Sequence, residues 1–278
     1  MGLLISLQDY VIDKNMTLVL TIIFFIFGLI VGSFLNVVIF RYNTSKNLGG
    51  RSMCMVCQKK LHWYELFPIF SFLFLKGRCK GCKTKISIQY PLIESATALI
   101  FLGIFFKFQD LFYVNTFIFS VTFIYYAAMF SILLVISMYD IKHKIIPDAL
   151  VLIFGVCTFI GLFFFSGYGF NPHMPSVWEF MSGLVISAPF ALLWLVSSGK
   201  WMGLGDAKLA VGLGWLIGMS RIFSSVVFSF WSGAIVGLLL MFLSKRYSIK
   251  SEIPFAPFLV LGVFIAFIFE IHLFQVLF

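Results

Sequence analysis

Residues Phe112 to Asp140 read FYVNTFIFSVTFIYYAAMFSILLVISMYD, and this stretch decides which solvent the chain is built for. It carries no charge until Asp140, and residues 112–138 alone exceed the roughly 20 apolar residues that cross a hydrocarbon core of about 30 Å. One run therefore supplies both a membrane helix and an acid at its end.

Working outward from it, comparable runs fall at about 17–40, 91–107, 149–166, 178–196, 207–219, 222–243 and 256–277. Of 278 residues, 61% are hydrophobic and 11% charged, which excludes an ordinary water-soluble domain. The spacing predicts an all-α, polytopic transmembrane bundle of about eight spans. The run at 207–219 is short, so a re-entrant or cavity-lining helix, giving seven crossings, is the other count. Asp9, Asp13 and Lys14 do not make the basic start of a signal peptide, and no small-residue cleavage site follows the first run, which predicts a retained anchor.

Seventeen of the twenty Lys and Arg fall in 41–90, 139–148, 197–208 and 244–253, and the rest are Lys14, Lys107 and Arg221. Positive charge collects in short cytoplasmic loops, so eight crossings with an outside N-terminus place all seventeen on the cytoplasmic face. The same effect accounts for the net charge of +9 without a nucleic-acid partner.

Within the first of these loops stand Cys54-Met-Val-Cys57 and Cys79-Lys-Gly-Cys82. Two CxxC turns supply the four thiolates that a tetrahedral zinc site takes, and a cytosolic loop keeps thiols reduced instead of forming disulfides. A closed four-thiolate site has no open position for water, so the expected zinc is structural. Between the pairs, Leu66 to Leu75 is too short to span and is expected on the bilayer surface. Cys157, alone within a span, reads as a packing residue.

Ionisable groups at the edge of a span point to function. Asp140 ends the third span in Ser-Met-Tyr-Asp-Ile-Lys-His-Lys-Ile-Ile-Pro-Asp (137–148), and Asp206 opens the sixth in Gly-Leu-Gly-Asp-Ala-Lys-Leu (203–209). Both are expected at similar depth on the cytoplasmic face. Two adjacent carboxylates cannot both ionise, so such a pair shares a proton and holds a water for attack on a peptide carbonyl. The other reading of Asp206 is a helix N-cap, and for Asp148 the N-cap is the preferred one. Asp140 resists it, because an acid at a helix C-terminus opposes the dipole, although Lys142 and Lys144 stand close enough to solvate it. Glu94 and Glu270 are expected to snorkel to the interface, and His62, His143, His173 and His272 to be interfacial.

These residues resemble the type IV prepilin peptidases across nearly the whole chain. The resemblance rests on Gly32-Ser33-Phe34-Leu35-Asn36 continuing to Arg41, the two CxxC pairs, Ile86 to Glu94, Asp140 with Ile146-Pro147-Asp148, Gly203 to Leu209, and Ile253-Pro254-Phe255-Ala256-Pro257-Phe258. It implies that Asp140 and Asp206 are the catalytic acids, cutting a short basic leader from prepilin or pseudopilin substrates at the face of a bacterial cytoplasmic membrane. It also implies N-methylation of the new N-terminal residue with S-adenosylmethionine as methyl donor, for which no glycine-rich nucleotide loop marks a site. Residues 1–41 then form the N-terminal segment and first span, 42–90 a methyltransferase-associated zinc loop, and 91–278 the peptidase domain. The family's usual Pro-Phe-Gly-Pro reads Pro254-Phe255-Ala256-Pro257 here, and the first cysteine pair lacks its frequent internal proline.

Tyr139-Asp140 and Gly203-Leu204-Gly205-Asp206 also suit an intramembrane aspartyl protease of the presenilin or signal-peptide-peptidase type. The four-cysteine loop and the lack of a Pro-Ala-Leu near the C-terminus argue against it. A reading of another class is an ion-coupled transporter, in which the two acids carry protons or cations.

Overall fold

The computed structural model describes residues 2–44, 49–243 and 252–271, with side chains from Asn15 onward. The side chains of Asp9, Asp13 and Lys14, together with Lys46, Lys245, Arg246, Lys250 and His272, lie outside the described residues. The chain divides into two compact units, Met1–Lys107 and Phe108–Phe278.

In the first unit, α1 (Gly2–Arg41) runs beside α3 (Gln89–Val114), whose helical dihedrals break at Phe108, where the second unit begins. The two approach closely because Gly28 and Gly32 sit four residues apart on one face. A Cβ on Gly28 would stand 2.6 Å from Ala98 Cα, and one on Gly32 2.7 Å from Glu94 Cα. Small residues at this spacing let membrane helices pack backbone to backbone. Phe24 stacks on Phe105 and Phe27 meets Phe101 edge-on farther along the same interface. Among its described residues, the loop between them holds a 3-10 turn (Trp63–Glu65) and the five-residue α2 (Phe70–Phe74). Phe67, Phe70, Leu73 and Phe74 are exposed, as a segment resting on a bilayer surface would be.

The second unit contains α4 (Thr116–His143), α5 (Asp148–Gly161), α6 (Val177–Ser197), α7 (Leu204–Ile217), α8 (Met219–Leu243) and α9 (Ala256–Phe269). Asn115 caps α4, accepting from the Phe117 and Ile118 N–H groups, and Ser176 with Glu179 forms a capping box on α6. α7 packs against α5 and α6, and α9 against α4 and α8. A two-residue hairpin, β1 (Phe165–Ser166) with β2 (Gly169–Phe170), follows α5.

The all-α membrane bundle is borne out, and within the described residues each of the eight runs overlaps a helix. Among the described residues, five helices are long and apolar enough to span: Asn15–Arg41, α3, α4, α6 and α8. α5, α7 and α9 have 14 residues each, or about 21 Å at 1.5 Å per residue, less than a hydrocarbon core. The expected span at 149–166 ends early because the chain turns into the hairpin, and α9 stops at Phe269, followed by Glu270 at φ 50°. Short helices at membrane depth are stable where protein surrounds them. α7 buries most of its residues, whereas the spanning window of α8 is 6% buried.

Candidate active site and cysteine cluster

Asp140 lies one turn from the end of α4, where the Lys144 N–H closes the helix on the Asp140 carbonyl at 2.7 Å and Lys144 adopts φ 55°. Its side chain is turned inward and the residue is 5% exposed, so Lys142 and Lys144 do not solvate it away from the bundle. The Ala256 N–H, at the first residue of α9, donates to Asp140 Oδ2 at 3.2 Å. Position 256 is the one that departs from the family's usual glycine. Ala256 is 0% exposed and helical, so the alanine fits without a positive φ.

Asp206 is 7% exposed and lies at the third position of α7. The N-cap is Gly203, with no side-chain cap, so the N-cap reading of Asp206 does not hold; the Asp206 N–H donates back to the Gly203 carbonyl at 3.3 Å. Asp206 Oδ1 is buried with no hydrogen-bond partner among the described residues. Asp140 acts electrostatically on Asp206, so the fold brings together two carboxyls from helices 66 residues apart in sequence. A Cβ on Gly205 would stand 2.9 Å from Ile146 Cβ; glycine there lets the start of α7 close onto the segment after α4. An orphaned buried carboxylate oxygen within electrostatic range of a second carboxyl suits the binding of a water or a peptide carbonyl.

Two further expectations, for Asp148 and Glu94, are corrected. Asp148 is the first residue of α5 behind Pro147 and does not cap it; its Oδ1 pairs with Lys208 Nζ at 2.7 Å, an exposed link between α5 and α7. Glu94 does not snorkel: it is buried, and its Oε2 accepts from the Ile69 N–H at 2.8 Å. That bond holds Ile69 at φ 60°, an unusual angle for a β-branched residue. Glu270 is exposed and ion-paired with Arg221 at 3.5 Å. His143 packs on Tyr139, and His173 lies beside the Asn171 carbonyl and Glu179.

Cys54, Cys57, Cys79 and Cys82 converge with all four Sγ within 4.8 Å of one another, and Cys54 Sγ lies 3.8 Å from Cys82 Sγ. A tetrahedral zinc with bonds of about 2.3 Å sets its sulfurs about 3.8 Å apart, so the cluster is compatible with a structural zinc. The two turns are built alike. In each, the first cysteine's carbonyl accepts at 3.0 Å from the N–H of a residue at positive φ, Gln58 or Lys83, and its own N–H donates to the carbonyl of Lys59 or Thr84. The isolated bridges Met53 with Lys60 and Arg78 with Lys85 close the turns. The Thr84 hydroxyl and backbone bring the Cys82 thiol down to about 6, and the Cys57 and Val56 N–H groups lower Cys54. Beneath the first turn, buried Glu65 accepts from the His62 N–H at 2.8 Å and pairs with Lys59 at 3.5 Å.

Comparison with known proteins follows the same division. The model of the Bacterial Peptidase A24 N-terminal domain matches residues 26–108, and that of the Type IV leader peptidase family matches residues 127–238. A Prepilin leader peptidase/N-methyltransferase of Bacillus subtilis (strain 168) is 30% identical over 251 residues, covering 89% of this chain and 93% of the relative. One from Pectobacterium carotovorum subsp. carotovorum is 31% identical over 266 residues, 85% of this chain and 88% of the relative. One from Myxococcus xanthus (strain DK1622) is 29% identical, over 82% of this chain but 65% of its own length. No solved structure matches the chain.

Proposed function

Because the chain belongs to the type IV leader peptidase family, we propose that Asp140 and Asp206 are the catalytic pair of an aspartyl endopeptidase that removes prepilin or pseudopilin leaders. The observation that carries this reading is the burial of both carboxyls within electrostatic range of each other, with Asp206 Oδ1 left without a partner among the described residues.

With one proton shared between them, the ionised member takes a proton from water while the protonated member donates to the scissile carbonyl oxygen. The roles belong to the pair, and they exchange when the tetrahedral intermediate collapses and the leaving amine is protonated. The Ala256 N–H holds Asp140 from the side of α9, fixing the carboxyl for that exchange. The enzyme is a multi-pass protein of the bacterial inner membrane, and the basic loops support a cytoplasmic active site.

The same chain is proposed to N-methylate the exposed N-terminal residue, with S-adenosylmethionine as donor and residues 42–90 as the associated domain within a larger 1–107 unit. Cys54, Cys57, Cys79 and Cys82 would hold zinc, which supplies a cross-link between the two turns and no chemistry of its own.

The test is incubation of wild type, Asp140→Asn and Asp206→Asn with a prepilin substrate, reading leader release by mass spectrometry. Each variant is expected to lose at least about a hundredfold, the lower range for acid–base groups. Full cleavage by either folded variant overturns the assignment. Cutting inside the substrate's apolar helix instead of at its border would favour the presenilin-like reading.

A further inference from the structure

The first unit contains a partly open cavity of about 650 Å³, lined by the end of α1, the cysteine loop and the start of α3. That size lies within the range of about 300–1,000 Å³ typical of small-molecule sites. Two of its buried groups ask for a polar ligand. Asn36 is 1% exposed and spends its amide N–H on the Tyr90 carbonyl at 3.1 Å, leaving Oδ1 buried with no hydrogen-bond partner among the described residues. Glu94, also buried, lines the same cavity with Ser33 and is bonded through one oxygen to the Ile69 N–H at 2.8 Å.

We infer that this cavity binds the methyl donor, a nucleoside bearing a sulfonium cation and an amino-acid group; the inference rests on the methyltransferase reading above. The chemistry of the wall matches the donor part by part. Asn36 Oδ1 accepts from an amine N–H, whether the purine's exocyclic amine or the α-ammonium. The Glu94 carboxyl complements a cation that is poorly served by the surrounding apolar wall. Phe40 and Tyr90, with ring centroids 4.8 Å apart and planes at 19°, give a flat aromatic edge on which a purine can lie. Arg41 and Arg51 lie along the wall, where a free carboxylate is welcome. An acyl chain in the same space would leave Asn36 Oδ1 and the Glu94 carboxyl facing hydrocarbon, an unfavourable arrangement for buried polar groups.

The position of the cluster fits as well. Cys54 and Cys79 line the cavity, so closing the two turns on a metal would also set the shape of one wall. No dedicated base is needed for the transfer, because an N-terminal amine titrates at about 7.7–8.0 and is partly neutral near neutral pH. Its nitrogen lone pair forms the new C–N bond as the methyl C–S bond breaks, and that electron pair stays on sulfur. The positive charge passes from sulfonium to a secondary ammonium, and the donor leaves as a neutral thioether.

The experiment is photolabelling of the full-length, zinc-loaded protein with 8-azido-S-adenosylmethionine, followed by peptide mapping and displacement by unlabelled S-adenosylmethionine. Displaceable label is expected within residues 33–56 or 84–94. Displaceable label confined to residues 108–271 overturns the site while leaving the methyltransferase reading intact, and label that unlabelled donor does not displace also overturns the site. Absence of all binding by a protein that cleaves prepilin leaders overturns both. In equilibrium dialysis, Asn36→Leu and Glu94→Gln are each expected to raise the donor Kd about tenfold, equivalent to about 1.4 kcal/mol. Unchanged affinity in both folded variants overturns the site; where a variant fails to fold, the wild-type label map decides.

Discussion

Removing the zinc proposed for the cysteine loop should unfold that loop while sparing the helices of the second unit. Residues 49–88 contain one 3-10 turn, a five-residue helix and two isolated bridges, elements too short to hold themselves without tertiary support. What joins the two turns is the convergence of four sulfurs within 4.8 Å. In small peptides a structural zinc contributes about 10–16 kcal/mol of apparent folding free energy, against about 5–15 kcal/mol of net stability for a whole domain. Loss of the metal is therefore large enough to release the loop outright. The Cys57→Ser variant, which keeps three thiols, is expected to carry less than about a tenth of the wild-type zinc by elemental analysis, since the four-thiolate set is what selects the ion. Hydrogen exchange read by mass spectrometry before and after chelation should show lost protection at Gln58 and Lys83, whose N–H groups bond to the Cys54 and Cys79 carbonyls. Helix α4 in the same molecule is the internal reference. Unchanged protection at both knuckle amides in zinc-free protein would refute the argument that the metal holds the loop.

Three further outcomes follow from the packing. Gly32→Val puts a Cβ 2.7 Å from Glu94 Cα, and is expected to lower stability by about 1–3 kcal/mol or more in thermal unfolding, whereas Gly155→Ala, which meets nothing within 4 Å, should leave the midpoint near wild type. Glu65 is held below the ordinary carboxylate value of 4.5, first by the His62 N–H and then by Lys59. Its contribution is present in full above that value and lost as pH falls below it. Acid exposure should therefore loosen residues 59–65 in wild type, and Glu65→Gln should abolish that pH dependence of local hydrogen exchange. Ala256→Gly keeps the N–H that bonds Asp140, so leader cleavage should stay within about twofold while stability falls by about 0.5–1 kcal/mol from added backbone freedom. A loss of cleavage beyond tenfold would mean that the alanine methyl, and not the N–H alone, positions Asp140.

The membrane helices and the four cysteines are legible in the sequence because each rests on a short-range signal: an apolar run longer than a bilayer core, and pairs of thiols two residues apart. Helix ends are less legible, since α5 stops where a hairpin intervenes and no residue type in 162–166 announces it. The carboxyl groups divide along the same line. Asp140 and Asp206 stand out because an acid at the end of an apolar run is costly unless it is used, yet Glu94 occupies the same kind of position and its sequence context suggests the interface. What separates them is the partner. Glu94 is bonded to Ile69, 25 residues away, and Asp140 to Ala256, 116 residues away, and neither partner contributes a side-chain function that a sequence could advertise. Both donors are backbone N–H groups, present at every residue except proline, so their use depends on how the chain is brought around and not on which residue stands there. This is also why the change from glycine to alanine at position 256 looks more serious in sequence than it is in structure. A motif records side chains, whereas the group that reaches Asp140 is one that glycine and alanine share, and the helical dihedrals at the start of α9 make no demand that alanine fails to meet.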